Sequence, residues 1–376
     1  MKIRRVQIIL FGLLFIWSCS PPKDAAEMKI EQHAKNIVLM IGDGMGLTQI
    51  SAALYSSEKP LALEEFPVTG LHLSQCYDDL ITDSGAGATA FACGLKTYKF
   101  AIGVDKDTLP CYSILEEAED RGLATGMVVT STIVHATPAS FIAHQPSRAF
   151  HEQIAADFLK TEIDFFVGGG RRYFERRKSD DRNLVSELQQ KDYIINDIRE
   201  VPLELIEVEP MRNFVYFTGD EAPLSAKMGR DYLPYASELA FLFLRSQSRE
   251  GFFLMVEGSQ IDWAGHANDS EFLIEEMLDF DRAVERVLKY AKRKGDTLVI
   301  VTADHETGGM AIQPGSNFGE LEVAFITNEH TPSLVPVLAY GPGANLFSGV
   351  YNNTEIYHKM RQALGWKGIP GSESRQ

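Results

Sequence analysis

Six short apolar runs punctuate the chain: Ile37 to Ile41, Gly126 to Thr130, Asp164 to Val167, Phe252 to Val256, Leu298 to Val301 and Val335 to Tyr340. They are rich in Val, Ile and Phe, and three close on glycine, at Gly42-Asp43-Gly44, Gly168-Gly169-Gly170 and Gly341-Pro342-Gly343. Short apolar runs with no polar alternation predict strands covered on both faces, as in a parallel sheet. Between them lie helical patterns. The clearest covers Glu271 to Lys294, where Leu273, Met277, Phe280, Val284, Val287 or Leu288, and Ala291 recur at steps of three and four. Gly295 follows as the C′ residue. Strands alternating with helices predict an α/β layered sheet. Residues 171–230 are the most polar and least patterned, and read as a peripheral excursion. No internal repeat or low-complexity tract interrupts the pattern.

Polar residues of interest fall just past the predicted strand ends. Asp43, Glu257 and Asp304 each follow an apolar run within a residue or two. In open α/β sheets ligands bind outside the carboxyl ends of the strands, so one pocket could gather all three. Ser84 opens Gly-Ala-Gly-Ala-Thr-Ala, a string of small residues that should enter a helix at once. A helix N-terminus offers free N–H groups and a positive dipole end to an anion, and a hydroxyl there reaches phosphorus without steric interference. The plain alternative is that Ser84 is an N-cap. A loose dinucleotide fingerprint, Gly85-x-Gly87-x-x-Ala90 with Asp105 downstream, is set aside because polar residues rather than an apolar strand precede it.

Further along, Asp262 and His266 stand four apart and His330 follows much later. A carboxylate with two imidazoles leaves a zinc ion one open position, as in catalytic sites. Asp304 and His305 directly follow Leu-Val-Ile-Val-Thr-Ala, where a chance polar pair is unexpected. Thr137 and Glu257 offer hard oxygen ligands suited to magnesium. The planar fork of Arg148 could hold two phosphate oxygens. Taken singly, Thr137 and Arg148 read as a capping threonine and a surface arginine. As a set, these residues make a multi-metal centre with its own nucleophile, which points to phosphoryl transfer.

Composition narrows the partners. The chain has 376 residues, 45% apolar and 23% charged, an ordinary globular balance with a net charge of −16. That charge argues against a nucleic-acid or anionic-membrane partner, and an anionic substrate would need bound cations to reverse the field locally. Lys2, Arg4 and Arg5 precede an apolar stretch from Val6 to Trp17 that is too short to span a bilayer. Ile16-Trp17-Ser18-Cys19 then resembles a bacterial lipobox, with isoleucine where leucine is usual. The expectation is a signal segment at 1–18, lipid on Cys19, a polar tether at 19–35, and export to the periplasm or cell envelope. Secretion by cleavage near the same place is the competing reading. Cys76, Cys93 and Cys111 remain, an odd number without metal spacing. Cys93 reads as a small buried apolar residue. One disulfide fits this count and a disulfide scaffold does not.

The order and surroundings of six segments resemble the alkaline phosphatase family. They are Ile41-Gly-Asp-Gly-Met-Gly46, Thr82-Asp-Ser-Gly-Ala-Gly-Ala-Thr-Ala90, Ala136-Thr-Pro-Ala-Ser140 with Ala143-His144 and Ser147-Arg148, Val256-Glu-Gly-Ser-Gln-Ile-Asp262, Thr302-Ala-Asp-His305, and His330-Thr331 before Ala339-Tyr-Gly-Pro-Gly343. The resemblance implies a three-layer α/β/α sandwich around a large, mostly parallel sheet. It also implies one catalytic domain at 36–366, followed by a frayed tail at 367–376.

Carried over residue by residue, Ser84 would be the nucleophile beside the second zinc and Arg148 the phosphate clamp. Asp262, His266 and His330 would hold the first zinc, and Asp43, Asp304 and His305 the second. Asp43 would bridge to a magnesium completed by Thr137 and Glu257, giving two Zn2+ and one Mg2+ per chain. The implied reaction is hydrolysis of small phosphate monoesters through a phosphoserine, with broad specificity and an alkaline optimum. A homodimer is compatible with this reading. Two positions depart from the enterobacterial pattern: His135 stands where that pattern has Asp, and Trp263 where it has Lys. Both would lie just behind the ligands. A phosphodiesterase on the same metals is the nearest rival, and a non-catalytic phosphate-binding lipoprotein a remote one.

Overall fold

The computed structural model describes residues 32–209 and 211–368. The expected signal segment, Cys19, most of the tether and most of the tail lie outside the described residues. Eight longer strands come first: β1 (Asn36–Gly42), β2 (Val68–Leu73), β3 (Ala124–Thr132), β4 (Phe165–Gly169), β5 (Ile194–Asp197), β6 (Phe214–Phe217), β7 (Phe252–Gly258) and β8 (Thr297–Thr302). Four two-residue strands follow, β9 (Glu306–Thr307), β10 (Ala311–Ile312), β11 (Val323–Ala324) and β12 (His330–Thr331), then β13 (Val335–Tyr340) and β14 (Gly349–Asn352).

Ten strands form one sheet in the order β14-β2-β13-β8-β1-β7-β3-β4-β6-β5. Only β13 runs against its neighbours, pairing antiparallel with both β2 and β8. All seven residues of β1 are buried. Ile37, Leu39 and Ile41 enter one core while Val38 and Met40 enter the other. Successive side chains point to opposite faces, so a strand covered on both sides shows no polar alternation.

Helices form the two outer layers. Residues of the Ser84–Cys93, Ile114–Asp120, His151–Asp157 and Thr354–Ala363 helices join the first core, and those of Leu47–Ser56, Tyr232–Gln247 and Ser270–Lys294 the second. The α/β/α sandwich expected from the sequence is therefore present. The Ser270–Lys294 helix buries all seven positions that the spacing marked, from Leu273 to Ala291. Asp269 caps its start by accepting from the Phe272 N–H, and Gly295 ends it at φ +71°. That left-handed conformation is one that glycine adopts without strain.

Three expectations need correction. Residues 171–230 are not a peripheral excursion: they supply β5 and β6, one edge of the sheet, and Phe214–Phe217 is wholly buried. Four-residue strands are too short to show a period, which is why the segment looked unpatterned. Cys93 is not a lone apolar residue; it forms a disulfide with Cys111 across 6.0 Å between Cα atoms, tying the end of the Ser84–Cys93 helix to the loop beyond. The end of the expected tether is also packed, since Ala34 is buried and its N–H donates to the Ala363 carbonyl. Among the described residues, no helix is long and apolar enough to cross a membrane.

Candidate active site

Four adjacent central strands, β8, β1, β7 and β3, deliver the polar residues from their carboxyl ends. Asp43 follows β1, Glu257 is the penultimate residue of β7, Asp304 and His305 follow β8, and His135 and Thr137 follow β3. The parallel register of β1 with β7 and β8 sets Ile41 beside both Glu257 and Thr302, so these ends lie level.

Ser84 is the first residue of the Ser84–Cys93 helix and is buried. It is not the cap. Asp83 fills that position, its carboxylate accepting from the Gly85 and Ala86 N–H groups at 3.1 and 3.2 Å. The small residues have a packing reason. A Cβ on Gly87 would stand 3.0 Å from the Asp304 Cβ, and one on Gly85 would stand 2.7 Å from the Ala101 carbonyl oxygen. The helix start can therefore press against the Asp304 turn, which brings Ser84 Oγ to 3.4 Å from His305 Nε2.

The histidines and carboxylates converge as donor sets. His305 Nε2 lies 3.4 Å from Asp43 Oδ1 and 3.3 Å from Asp304 Oδ2. Asp262 Oδ1 lies 3.3 Å from His266 Nε2 and 3.4 Å from His330 Nε2. The other ring nitrogens are committed: His266 Nδ1 faces the Asn328 carbonyl at 2.6 Å and His330 Nδ1 the Thr82 carbonyl at 2.8 Å. A carbonyl only accepts, so each Nδ1 donates its proton there, and each Nε2, which faces Asp262, is the nitrogen that a metal ion would take in place of a proton. A third group brings Asp43, His135 and Glu257 within 4.8 Å of one another. His135 therefore stands beside Asp43 and Glu257, in a group that could hold a metal ion.

Burial and charge test whether cations fit here. Asp43 Oδ1 and Oδ2, Asp304 Oδ2, Glu257 Oε1 and Thr137 Oγ1 are buried and form no hydrogen bond. So many unsatisfied buried oxygens are costly, and a divalent cation is the partner that suits all of them. Burial, with Asp304, Asp262 and Glu257 close by, pushes Asp43 well above the ordinary carboxylate range. Burial lifts Glu257 to about 8 and Asp304 to about 6. Burial works the same way on Asp262, but hydrogen bonds from His266 and His330 overcome it and hold that carboxyl well below its usual range. The partnership raises His266 to about 9. Burial, aided by the nearby His330, pushes His305 far down and so keeps it neutral, the form that binds a metal.

Arg148 is held at the rim. Nη1 donates to Asp83 Oδ2 at 3.0 Å and Nη2 to His135 Nε2 at 3.1 Å. Its backbone N–H donates to the Phe100 carbonyl, and the Phe100 N–H donates to Asp83 Oδ1. Trp263 is half-buried and meets the His135 ring edge-on, with centroids 6.0 Å apart. Two residues of this network escaped the sequence reading. Asp83 had a signal, since an aspartate before a run of small helix formers is a cap signature. Thr307, whose hydroxyl donates to Asp262 Oδ1 at 2.6 Å, had none beyond its nearness to His305.

Residues 34–326 match the sequence profile of the family described as alkaline phosphatase. Alkaline phosphatase 3 of Bacillus subtilis (strain 168) is 37% identical over 78% of this chain, which spans 66% of that protein's length. Alkaline phosphatase 4 of the same strain is 33% identical over 89% of each. The solved structure of alkaline phosphatase from the Antarctic bacterium TAB5 superposes with a TM-score of 0.84 at 40% identity, covering 90% of this chain and 100% of that one. A histidine-to-aspartate variant of that enzyme has magnesium bound in its M3 site.

Proposed function

The chain belongs to the alkaline phosphatase family, and from that premise we propose how its own residues hydrolyse phosphate monoesters. The observation that carries the proposal is the meeting of Ser84 Oγ, at a helix N-terminus, with His305 Nε2 and the buried carboxylates around it. Ser84 Oγ forms a bond to phosphorus as the ester oxygen leaves, and water then cleaves the phosphoserine to release phosphate. Arg148 spends one N–H on Asp83 and one on His135. Its guanidinium has five N–H groups, so others remain for the phosphoryl oxygens.

Asp262, His266 and His330 would hold one zinc, and Asp43, Asp304 and His305 a second. Asp43, Glu257 and Thr137, with His135 beside them, would line a third position suited to magnesium. When bound, these ions supply Lewis-acid stabilisation of the negative charge that builds up on oxygen. Burial and the Arg148 charge keep His135 neutral, at a pKa of about 3, with its one lone pair on Nε2 taken by Arg148 at 3.1 Å. In the Antarctic enzyme, magnesium occupies M3 when an acid replaces a histidine. By that analogy, His135→Asp should tighten magnesium binding here, because magnesium favours oxygen ligands.

The decisive assay compares p-nitrophenyl phosphate with its bis-ester, with and without chelator. Fast monoester hydrolysis that the chelator abolishes is expected. Preference for the bis-ester, or full activity in stripped protein, would refute the reading. Residues 1–19 support a second proposal, export with lipid on Cys19. Cys19→Ala should then move the protein from the membrane fraction to the soluble periplasmic fraction without altering its kinetics. A native protein that is fully soluble, with another N-terminus, would end it.

A further inference from the structure

Thr307 touches every segment that carries a ligand of the two zinc sets, and the mechanism above gives it no task. Its hydroxyl lies 2.6 Å from Asp262 Oδ1 and 3.2 Å from His305 Nδ1. Its N–H donates to the carbonyl of Gly44, next to Asp43. Its strand, β9, pairs with β12 so that Thr307 stands opposite His330. The residue is wholly buried. Two glycines make room for it: a Cβ on Gly44 would come within 2.8 Å of the Thr307 hydroxyl, and one on Gly265 within 2.9 Å of its methyl.

The direction of the hydrogen bonds follows from the chemistry of the ends. His305 Nε2 faces Asp43 and Asp304, so for that nitrogen to offer a lone pair, Nδ1 must carry the ring proton. Nδ1–H then donates to the Thr307 oxygen. The Thr307 proton has Asp262 as its acceptor, because a carboxylate only accepts. The result is a one-way chain from His305 through Thr307 to Asp262, with one end in each zinc set.

We propose that Thr307 is a positioning residue that couples the two zinc sets, fixing the His305 tautomer for one and the Asp262 carboxylate for the other. This rests on the reading of those residues as zinc ligands. Partners of this kind behind a metal ligand are worth about 10–100-fold in metal affinity.

The test reads zinc binding rather than turnover. Stripped wild type, Thr307→Val, which keeps the shape without the hydroxyl, and Thr307→Ser, which keeps the hydroxyl, are titrated with zinc against a chromophoric chelator. Asp262→Asn and His305→Ala provide the scale, each expected to lose zinc from one set. Thr307→Val should lose about 10–100-fold in affinity at both sets, with Thr307→Ser within a few-fold of wild type. Wild-type affinity in Thr307→Val, with the two ligand variants impaired, overturns the coupling and leaves the ligand reading standing. Wild-type binding in the ligand variants overturns both. Should Thr307→Val fail to fold, Thr307→Ala replaces it. Thr307→Ser binding as weakly as Thr307→Ala would then show that packing, not the hydroxyl, is what matters.

Discussion

Ser84 was open to a plain reading as a cap, and Trp263 departs from the lysine of the enterobacterial pattern. For Ser84 the neighbouring Asp83 removes the capping alternative, because its carboxylate already takes the two N–H groups that a cap would serve. Ser84→Ala should therefore lower turnover roughly 10³-fold or more while metal content stays near wild type, since removing a nucleophile leaves the electrostatic site standing. Acid-quenched enzyme that still carries labelled phosphate in the variant would assign the nucleophile elsewhere. For Trp263, the half-exposed indole against His135 places it beside the Arg148 network. It offers one N–H and no charge. A lysine there would add a partly solvated contact to bound phosphate worth on the order of 1 kcal/mol. Trp263→Lys should thus lower the inhibition constant of phosphate several-fold and slow turnover where product release limits it. An unchanged inhibition constant in a folded, metal-loaded variant would show that the side chain does not face the site. Asp43, Glu257 and Asp304 were legible as candidates because each follows an apolar run within a residue or two. Thr307 was not, because a hydroxyl one residue from a histidine carries no pattern of its own.

Among the elements, the long Ser270–Lys294 helix was read almost to the residue and the β5–β6 edge was missed entirely. The difference is length: seven buried positions make a period visible, while four-residue strands do not. The helix also anchors the loop that precedes the Tyr232–Gln247 helix through a buried cluster. Arg230 pairs with Glu276 and Asp279, all three almost fully buried, and Glu276 also accepts from the Ala226 N–H at 2.6 Å. Removing Arg230 leaves buried Glu276 with the Ala226 N–H and buried Asp279 with the more exposed Arg282. Arg230→Met should cost about 3–5 kcal/mol in urea unfolding. Adding Glu276→Gln and Asp279→Asn should recover part of that loss. A loss under about 1 kcal/mol for the single variant would mean that water reaches these carboxylates once the arginine is gone.

For the molecule as a whole, the layer order and the gathering of ligands at one sheet end could be read from runs and their punctuation, whereas disulfide pairing and sheet edges could not. A pH dependence belongs to this scale. Burial and the nearby Asp164 raise Glu119 from 4.5 to about 9, and burial raises Asp164 to about 6. Both meet Thr125, the first through its hydroxyl and the second at 2.7 Å through its N–H. Between pH 4.5 and about 9, folded Glu119 keeps a proton that the unfolded chain has released. Folding takes up that proton, so stability falls as pH rises through the window. Glu119→Gln should flatten the slope, with the variant melting roughly 1–3 °C above wild type at pH 9 and no higher at pH 5. Parallel melting curves across that range would remove Glu119 from the account. The central position of β1 has another consequence, one of timing. β1 starts at Asn36, yet its partners β7 and β8 begin only at Phe252 and Thr297. A growing chain must hold its first strand unpaired until most of its length has been made, and contacts so distant in sequence form slowly. Asp43 is among the earliest residues of the centre to be synthesised and must wait for Asp304 and His305. The catalytic centre is among the last parts of the protein to come into being.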